Sequence, residues 1–269
     1  MTRRAAVLGA PIAHSLSPVL HRAAYAALGL PWTYDAIEVD EAGVSAFIDS
    51  CGPEWAGLSL TMPLKTAVLP LLDQMSTTSE VTGAANTVVF TDGLRRGDNT
   101  DVAGMVAALR EAKPAEFSAD RVLILGGGAT ARSAVAAAAQ LGATRIEAVV
   151  RSRQRAMDLA EVGDRVGVAV ALRTWDEGVS FVDAPVVIST VPYGAADALA
   201  EDVPEGPGVL LDVAYGAAPT RLGQSWRGAG GAIADGLDLL LWQAVDQVRL
   251  MTGAEPPVEA MRAALRARA

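Results

Sequence analysis

A glycine-rich turn in the second half of the chain has the residue types and the spacing needed to bind a dinucleotide. The stretch Arg121–Leu125 is apolar and strand-like, and the small residues Gly126 to Ala131 follow it directly. Gly126 can make the tight turn, Gly128 lets the backbone approach a pyrophosphate, and Ala131 lets the following helix pack closely. Free N–H groups at the start of that helix would bind the phosphates. The pattern predicts a nicotinamide cofactor, with a purely structural glycine turn as the alternative.

Three arginines after the next predicted strand indicate which dinucleotide is bound. The strand Arg145–Val150 is followed by Arg151, Arg153 and Arg155, with no acidic residue among them. An NAD site places Asp or Glu here for the ribose 2′-hydroxyl, whereas an NADP site uses arginine for the 2′-phosphate. A guanidinium can bind phosphate through two hydrogen bonds. The pattern favours NADP; the alternative is a solvated basic helix start, although cations are unfavourable at that end of a helix.

Hydroxyl groups and a lysine near the N-terminus could bind a small anionic substrate. Ser15 and Ser17 lie at the entrance of a predicted helix, where hydroxyls and free N–H groups could bind a carboxylate. A plain helix cap is the alternative. Thr61 and Lys65 follow an apolar strand, at the sheet edge where α/β proteins bind ligands. A lone lysine in this position is more often a solvated charge.

A carboxamide and a carboxylate complete this group of polar residues. Asn86 stands just before a predicted strand, and Asp101 begins a predicted helix. Asp101 could simply cap that helix. In isolation a cap is the commoner role of such an aspartate, and the order and spacing of the neighbouring runs favour a functional one.

The elements that must position these residues alternate along the chain. Apolar stretches of strand length alternate with Ala-rich stretches of helix length, which predicts a mostly parallel α/β fold. The predicted strands are Ala5–Gly9, Thr33–Val39, Gly57–Leu60, Thr87–Phe90, Arg121–Leu125, Arg145–Val150, Ala184–Ser189 and Val209–Val213. The predicted helices are Ser17–Leu28, with Ser17 as cap and Gly29 at its end, a helix from the glycine turn to about Leu141, Gly236–Met251 and Pro257–Arg268.

The composition limits the class of protein. The chain has 269 residues, a formal net charge of −9, two histidines and a single cysteine, Cys51. The negative charge argues against binding to nucleic acid or to a membrane surface. Few histidines and cysteines leave little for a zinc site, so no metal is expected. A lone cysteine fits the reducing cytoplasm. The apolar run Ala5–Ala13 indicates a buried first strand rather than a signal peptide.

Five sequence runs, taken in order, resemble those of the shikimate dehydrogenase family. They are GAPIAHSLSP (9–18), LTMPLK (60–65), GAANT (83–87), NTDVAG (99–104) and GGGATA (126–131). The similarity continues through Ser189-Thr190, Asp212 to Tyr215, Ala234 to Gly236 and Gln243-Ala244. It implies reversible, NADP-dependent reduction of 3-dehydroshikimate to shikimate, a step in aromatic amino-acid biosynthesis. The partner would be this small-molecule substrate, and the chain would act as a monomer or homodimer.

The resemblance also implies the role of each matching residue. Lys65 and Asp101 would form the catalytic pair. Substrate would contact Ser15, Ser17, Thr61, Asn86, Tyr215 and Gln243. Cofactor would contact Gly126, Gly127, Gly128, Ala129, Thr130, Arg151, Ser152, Arg153 and Arg155, with Val213 and Gly236 near the nicotinamide.

The order of these residues predicts two α/β domains. Substrate residues occur before Asp101 and again at Gln243, on either side of the nucleotide-binding segment. We expect residues 1–101 and 237–269 to form a substrate-binding catalytic domain with a mostly parallel sheet. Residues 102–236 should form a Rossmann-like NADP-binding domain. The polar stretch Lys113–Asp120 is a plausible boundary.

A lysine and an aspartate suit this reaction. Hydride transfer to a ketone builds negative charge on its oxygen, and an ammonium beside that oxygen can stabilise the charge and donate a proton. Asp101 would orient Lys65 and bond the reacting hydroxyl.

Departures from the family pattern leave two alternatives open. Val150 stands where the family commonly has Asn, Ile188–Pro192 replaces an Asn-Ala-Thr run, and Met251 replaces a Trp. The first two put detailed cofactor contacts in doubt. One alternative is an NAD-using quinate/shikimate dehydrogenase, which Arg151 and the paired serines disfavour. The other is a non-catalytic NADP-binding sensor, which the presence of Lys65 with Asp101 disfavours.

Overall fold

The computed structural model describes residues 2–113, 119–216 and 218–268. The chain divides into two compact units, the first comprising Met1–Asp101 and Leu240–Ala269 and the second Val102–Leu239. Most of the stretch expected as a boundary, residues 114–118, lies outside the described residues. No helix in the described ranges combines the length and the apolar character needed to span a membrane.

Twelve strands and ten α-helices make up the described chain. The strands are β1 (Arg4–Gly9), β2 (Thr33–Glu38), β3 (Trp55–Leu60), β4 (Gln74–Met75), β5 (Thr87–Thr91), β6 (Leu94–Asp98), β7 (Arg121–Leu125), β8 (Arg145–Val150), β9 (Ala169–Thr174), β10 (Val186–Ser189), β11 (Val209–Asp212) and β12 (Ala232–Ala234). The helices are α1 (Ser17–Ala27), α2 (Val44–Asp49), α3 (Leu64–Ala67), α4 (Thr77–Thr82), α5 (Asp101–Ala112), α6 (Ala129–Gln140), α7 (Met157–Val166), α8 (Arg221–Gly228), α9 (Gly236–Thr252) and α10 (Val258–Arg266).

The first unit contains a six-stranded sheet in the order β2-β1-β3-β5-β6-β4. Strands β1, β2 and β3 are parallel, and β5 is antiparallel to both of its neighbours, β3 and β6. The central strands β1 and β3 are buried almost throughout. They carry apolar side chains such as Leu8 and Leu58, as expected for strands covered on both faces.

The strand directions gather several chain segments at one edge of this sheet. Ser59, near the carboxyl end of β3, pairs with Thr87, and Thr87 also pairs with Asp98 at the carboxyl end of β6. The residues that follow β3 and β6, and those that precede β5, therefore meet at the same edge.

The second unit contains a six-stranded, wholly parallel sheet in the order β12-β11-β10-β7-β8-β9. From β7 the chain proceeds outward through β8 and β9, then returns to β10 on the other side of β7. This reversal creates a crevice at the carboxyl ends of β7 and β10, where open parallel sheets bind ligands. Helix α6 packs close to the sheet through small buried residues such as Ala131 and Ala134.

The two α/β units confirm the predicted fold class, and each predicted strand is present with ends shifted by at most two residues. The prediction of Ser17 as a helix cap is wrong. Leu16 occupies the cap position, and Ser17 is a buried residue in the first turn of α1. The Ser15 hydroxyl accepts a hydrogen bond from the Ser17 N–H at 3.3 Å. The side-chain hydrogen bond at the start of α1 therefore comes from Ser15 and not from Ser17. Gly29 follows α1 with a φ of +64°, as its predicted position requires.

Candidate active site

A nearly buried ion pair lies at the polar edge of the first sheet. Lys65 belongs to α3 and Asp101 begins α5, and the distance from Lys65 Nζ to Asp101 Oδ2 is 2.5 Å. Their side chains are 16% and 6% exposed. The ammonium is therefore held by the carboxylate yet keeps some exposed surface, which allows it to donate a proton to a bound molecule.

Asn86 holds the carboxylate of this pair from the other side. Its Nδ2 donates to Asp101 Oδ1 at 2.9 Å and lies 3.4 Å from Gln243 Oε1. The Asn86 Oδ1 accepts the backbone N–H of Thr100 at 2.9 Å. Gln243 comes from α9, and its Nε2 donates to the Leu240 carbonyl oxygen. The structure thus brings together four predicted site residues from distant parts of the chain.

The remaining first-unit candidates follow the carboxyl ends of β1 and β3. Ser15 is half-buried in the loop after β1, and Ser17 is nearly buried. Thr61 donates its backbone N–H to the Leu8 carbonyl oxygen at 2.9 Å, and its side chain lies against Gly9. A side chain at Gly9 would collide with Thr61, so glycine allows the two loops to approach closely.

The glycine turn of the second unit has the geometry of a phosphate site. Gly126 has a φ of +114°, and its N–H donates to the Val149 carbonyl oxygen. Gly128 is the N-cap of α6, has no side-chain cap, and faces open space where a Cβ would stand. Ala129 and Thr130 form the first turn of α6 and are half-buried. Gly127 and Gly128 are exposed, and the first N–H groups of a helix have no partner within it, so these residues fit a pyrophosphate.

The basic residues after β8 are not equivalent. Arg153 is engaged by Glu177, with distances of 2.5 and 2.7 Å from its NH2 to the two carboxylate oxygens. Hydrogen bonds from the Thr174 backbone and from Arg153 lower the pKa of Glu177. Within the described ranges, Arg151 has no ion-pair partner, and it is exposed directly after β8. Ser152 and Arg155 complete this segment. The Ser152 hydroxyl accepts a hydrogen bond from the Arg155 backbone N–H at 3.5 Å.

Three further candidates belong to the second unit. Val213 follows β11, and its N–H donates to the Ser189 carbonyl oxygen at 3.0 Å. A Cβ at Gly236 would lie 2.5 Å from the Val213 carbonyl oxygen, so only glycine allows α9 to begin this close. Tyr215 is 41% exposed and also belongs to this unit, unlike the other predicted substrate contacts.

Comparisons with known proteins agree with this geometry. The family model described as shikimate dehydrogenase substrate binding domain matches residues 7–88, and the shikimate 5′-dehydrogenase C-terminal domain matches residues 236–266. The NADP(+) shikimate dehydrogenase of Citrifermentans bemidjiense is 37% identical over 279 residues, covering 99% of this chain and 96% of the relative. The chain belongs to the shikimate dehydrogenase family.

Solved structures of shikimate dehydrogenases are similar over nearly the whole chain. The Mycobacterium tuberculosis enzyme is 42% identical with a TM-score of 0.89, covering 98% of this chain and 99% of the other. The Thermus thermophilus enzyme, in complex with NADP(H) and shikimate, is 31% identical with a TM-score of 0.87, covering 99% and 100%. The resemblance seen in the sequence runs is therefore confirmed.

Two polar residues beside the pair in this shikimate dehydrogenase family member are not among the predicted site residues. Thr100 fixes Asn86 through its backbone N–H and its hydroxyl, and its place beside Asp101 was the available signal. Gln247 lies one helical turn after Gln243 on α9, a spacing that puts both on one face. Its hydrogen-bond partners Ser59 and Thr87 lie on β3 and β5, far away in the sequence, so the sequence alone does not identify its role.

His21 is a buried neutral histidine in the first unit. Its ring stacks on Tyr34 with centroids 4.0 Å apart, and its Nε2 lies 3.2 Å from Gln247 Oε1. Burial lowers the pKa of His21 from 6.5 to about 3, against a smaller opposing effect of the Gln247 hydrogen bond. Because Gln247 Oε1 can only accept, the neutral ring carries its proton on Nε2.

We expect His21 to make the free energy of unfolding depend on pH. The unfolded state takes up a proton near pH 6.5 and the folded state only near 3. The stability contributed by the neutral ring is complete above pH 6.5. It is lost as pH falls through this window, by about 1.4 kcal/mol per pH unit. Urea unfolding of His21→Gln between about pH 6 and 4 should show a correspondingly shallower slope.

The other histidine provides the control for this measurement. His14 is exposed, so His14→Gln should retain the pH dependence of the unchanged chain. An equally steep slope in His21→Gln would contradict the assignment of a neutral buried ring.

Proposed function

We propose that this chain catalyses the reversible NADPH-dependent reduction of 3-dehydroshikimate to shikimate. The observation that carries the proposal is the Lys65–Asp101 pair, held by Asn86 within a member of the shikimate dehydrogenase family. Residues 1–101 and 237–269 are assigned to substrate binding and catalysis, and residues 102–236 to NADP binding. The related structure with bound NADP(H) and shikimate supports this assignment.

In this proposal the first unit supplies the proton and the second unit holds the cofactor. NADPH supplies the hydride that reduces the ketone. Lys65 Nζ stabilises the negative charge that develops on the ketone oxygen and donates the proton that completes the alcohol. Asp101 orients the ammonium through its Oδ2 and is available to the reacting hydroxyl. In the reverse direction the same pair removes the proton from the alcohol.

The polar residues around the pair are assigned to substrate recognition. Ser15 and Ser17 bind the carboxylate, because their two hydroxyl-bearing side chains lie together at the start of α1. Thr61, Asn86 and Gln243 contact the hydroxyl groups of the ring. Tyr215, in the second unit, is assigned to substrate as well.

The second unit is assigned the cofactor contacts. The turn Gly126 to Thr130 holds the pyrophosphate at the start of α6, and Val213 and Gly236 lie beside the nicotinamide. Arg151 is the principal partner of the 2′-phosphate, because it directly follows β8 and is exposed. Among the residues that the structure describes, no carboxylate pairs with it or with Arg155, which lies further from the strand end. Ser152, Arg153 and Arg155 assist, although Arg153 must share its guanidinium with Glu177.

Other aspects of the proposal rest on composition. A single cysteine fits a cytoplasmic enzyme, and we propose a monomer or homodimer that needs no nucleic acid, membrane or metal.

Removing either serine hydroxyl is expected to weaken substrate binding. Ser15→Ala and Ser17→Ala each lose a hydrogen bond to a carboxylate, worth about 1.5–3 kcal/mol, and the KM for shikimate should rise by roughly ten- to a hundredfold. Ser50→Ala is the control, because Ser50 is an exposed serine of the same unit bonded to the Phe47 carbonyl oxygen. An unchanged KM in both variants would mean that the carboxylate binds elsewhere.

The proposed function is tested with four mixtures of substrate and cofactor. Purified protein is combined with shikimate or quinate and with NADP⁺ or NAD⁺, and the absorbance of the reduced cofactor is followed. We expect the fastest reaction with shikimate and NADP⁺. Preference for quinate with NAD⁺ would indicate a quinate/shikimate dehydrogenase. Binding of NADP⁺ without reaction in any mixture would indicate a sensor.

A further inference from the structure

A continuous series of buried polar side chains extends from the interior of the first unit to the Lys65–Asp101 pair. We call it the buried chain; its members are Tyr34, Ser59, Gln247, Thr87 and Asn86. All five are 3% exposed or less. Polar groups this deeply buried are costly unless each finds a partner, so their hydrogen bonds can be traced one by one.

Backbone groups fix the orientation of the Gln247 amide. Its Nε2 lies 3.2 Å from the Asn86 backbone carbonyl oxygen, which can only accept, so this end must be the NH₂ group. Its Oε1 then accepts from Ser59 Oγ at 2.7 Å. Ser59 in turn accepts from the Tyr34 hydroxyl at 2.6 Å.

A second backbone group, the Thr100 N–H, fixes the orientation of the Asn86 side-chain amide. The Thr100 N–H can only donate, so the Asn86 atom 2.9 Å from it must be the oxygen. The Thr87 hydroxyl receives a hydrogen bond from Gln247 Nε2 at 3.0 Å and donates its own proton to the same Asn86 oxygen at 2.8 Å. The Asn86 NH₂ group is thereby directed at Asp101 Oδ1.

Each hydrogen bond in the buried chain therefore runs in one direction, from Tyr34 to Asp101. Gln247 is the link between the two halves, because it accepts from Ser59 and donates to Thr87. An amide does not readily pass a proton along, so the chain orients groups rather than conducting protons. If Asn86 turned over, its oxygen would face the Asp101 carboxylate and the support for that carboxylate would be lost.

We propose that Gln247 is a positioning residue for the reaction. It acts through Thr87 and Asn86 to hold the Asp101 carboxylate, and with it the Lys65 ammonium, in the reactive orientation. This inference rests on the proposed function, in which that pair serves the ketone oxygen. Small displacements of a reacting group can lower a rate by as much as about 10²-fold. Loss of the support that Gln247 gives to Asp101 should therefore lower kcat measurably.

The test compares Gln247→Met, which keeps the length but loses the hydrogen bonds, with Tyr25→Phe as a matched control. Tyr25 is also buried, and its hydroxyl lies 3.4 Å from His21 Nδ1 and 3.9 Å from Met251 Sδ. It reaches Gln247 only through the His21 ring and lies outside the series that leads to Asp101. We expect Gln247→Met to lower kcat for shikimate oxidation by roughly ten- to a hundredfold, with the KM for shikimate changed much less. Tyr25→Phe should keep kcat even if its Tm falls by a similar amount.

Variants at Thr87 keep the inference testable if Gln247→Met folds poorly. Thr87→Val removes the hydroxyl without changing the shape and should lower kcat in the same way, whereas Thr87→Ser should restore it. Because the two residues act in series, the double variant Gln247→Met/Thr87→Val should be little slower than either single variant.

The outcomes separate this inference from the proposed function. An unchanged chain that fails to oxidise shikimate with NADP⁺ would overturn both. An active unchanged chain, with Gln247→Met and Thr87→Val at full kcat, would overturn only the positioning role. Losses that multiply in the double variant would also overturn it, since they would indicate independent effects.

Discussion

Replacing Lys65 by alanine is expected to lower turnover of shikimate by roughly 10²–10⁴-fold, the usual effect of removing a general acid–base group. The ammonium is the cation bonded to Asp101. In the proposed mechanism it is the group that exchanges the alcohol proton. Its loss removes both the charge stabilisation and the proton donor. The measurement is kcat from the appearance of NADPH at saturating shikimate, with Tm recorded in parallel.

Two further variants separate the effects that Lys65→Ala combines. Lys65→Arg keeps a positive charge, but a guanidinium does not give up its proton in proteins, so this variant should remain strongly impaired. Arg96→Ala removes an exposed cation of the same unit, paired only loosely with Asp92, and should keep full turnover. Turnover close to that of the unchanged chain in Lys65→Ala would exclude this lysine as the proton donor.

Replacing Arg151 by alanine is expected to abolish most of the preference for NADP⁺ over NAD⁺. A charge-assisted hydrogen bond is worth about 1.5–3 kcal/mol, so the KM for NADP⁺ should rise by roughly ten- to a hundredfold. The KM for NAD⁺ should stay the same, because NAD⁺ has no 2′-phosphate. Steady-state kinetics with both cofactors measures the two effects together.

Arg153 is the matched control for this experiment. It lies two residues further along the same segment, but Glu177 already occupies its guanidinium. Arg153→Ala should therefore raise the KM for NADP⁺ less than Arg151→Ala does. Equal use of NADP⁺ by Arg151→Ala and the unchanged chain would mean that another group recognises the phosphate.

Features that depend on neighbouring residues could be predicted from the sequence. The turn at Gly126 and the helix α6 follow from the order of an apolar strand, small residues and an Ala-rich stretch. The strands β7 and β8 have the predicted bounds because β7 is apolar after Arg121 and β8 is apolar apart from Arg145 and Glu147. The position of Arg151 then follows from the end of β8.

The pairing of Lys65 with Asp101 depends on contacts that no local pattern encodes. The two residues are 36 positions apart, and they meet because β5 and β6 form an antiparallel pair beside β3. Strand β6 was not predicted, because it includes Arg95, Arg96 and Asp98 and is only partly buried. The family resemblance predicts the pair, whereas periodicity does not.

The buried chain, and His21 beside it, illustrate the same limit more strongly. Gln247 and Ser59 are 188 residues apart, and Gln247 and His21 are 226 apart. In the sequence, Gln247 is one of several polar residues on an amphipathic helix, and His21 is indistinguishable from a surface histidine. Their roles become visible only when α9 packs beside the strands that carry their partners.

The most direct test of the central claim follows the hydride itself. The protein is incubated with 3-dehydroshikimate and NADPH that carries deuterium at both positions of the nicotinamide carbon that donates the hydride, and the product is analysed by mass spectrometry. The account predicts shikimate that contains a single deuterium, formed in equal amount to the NADPH consumed. Absence of shikimate, or formation of unlabelled shikimate, would contradict it.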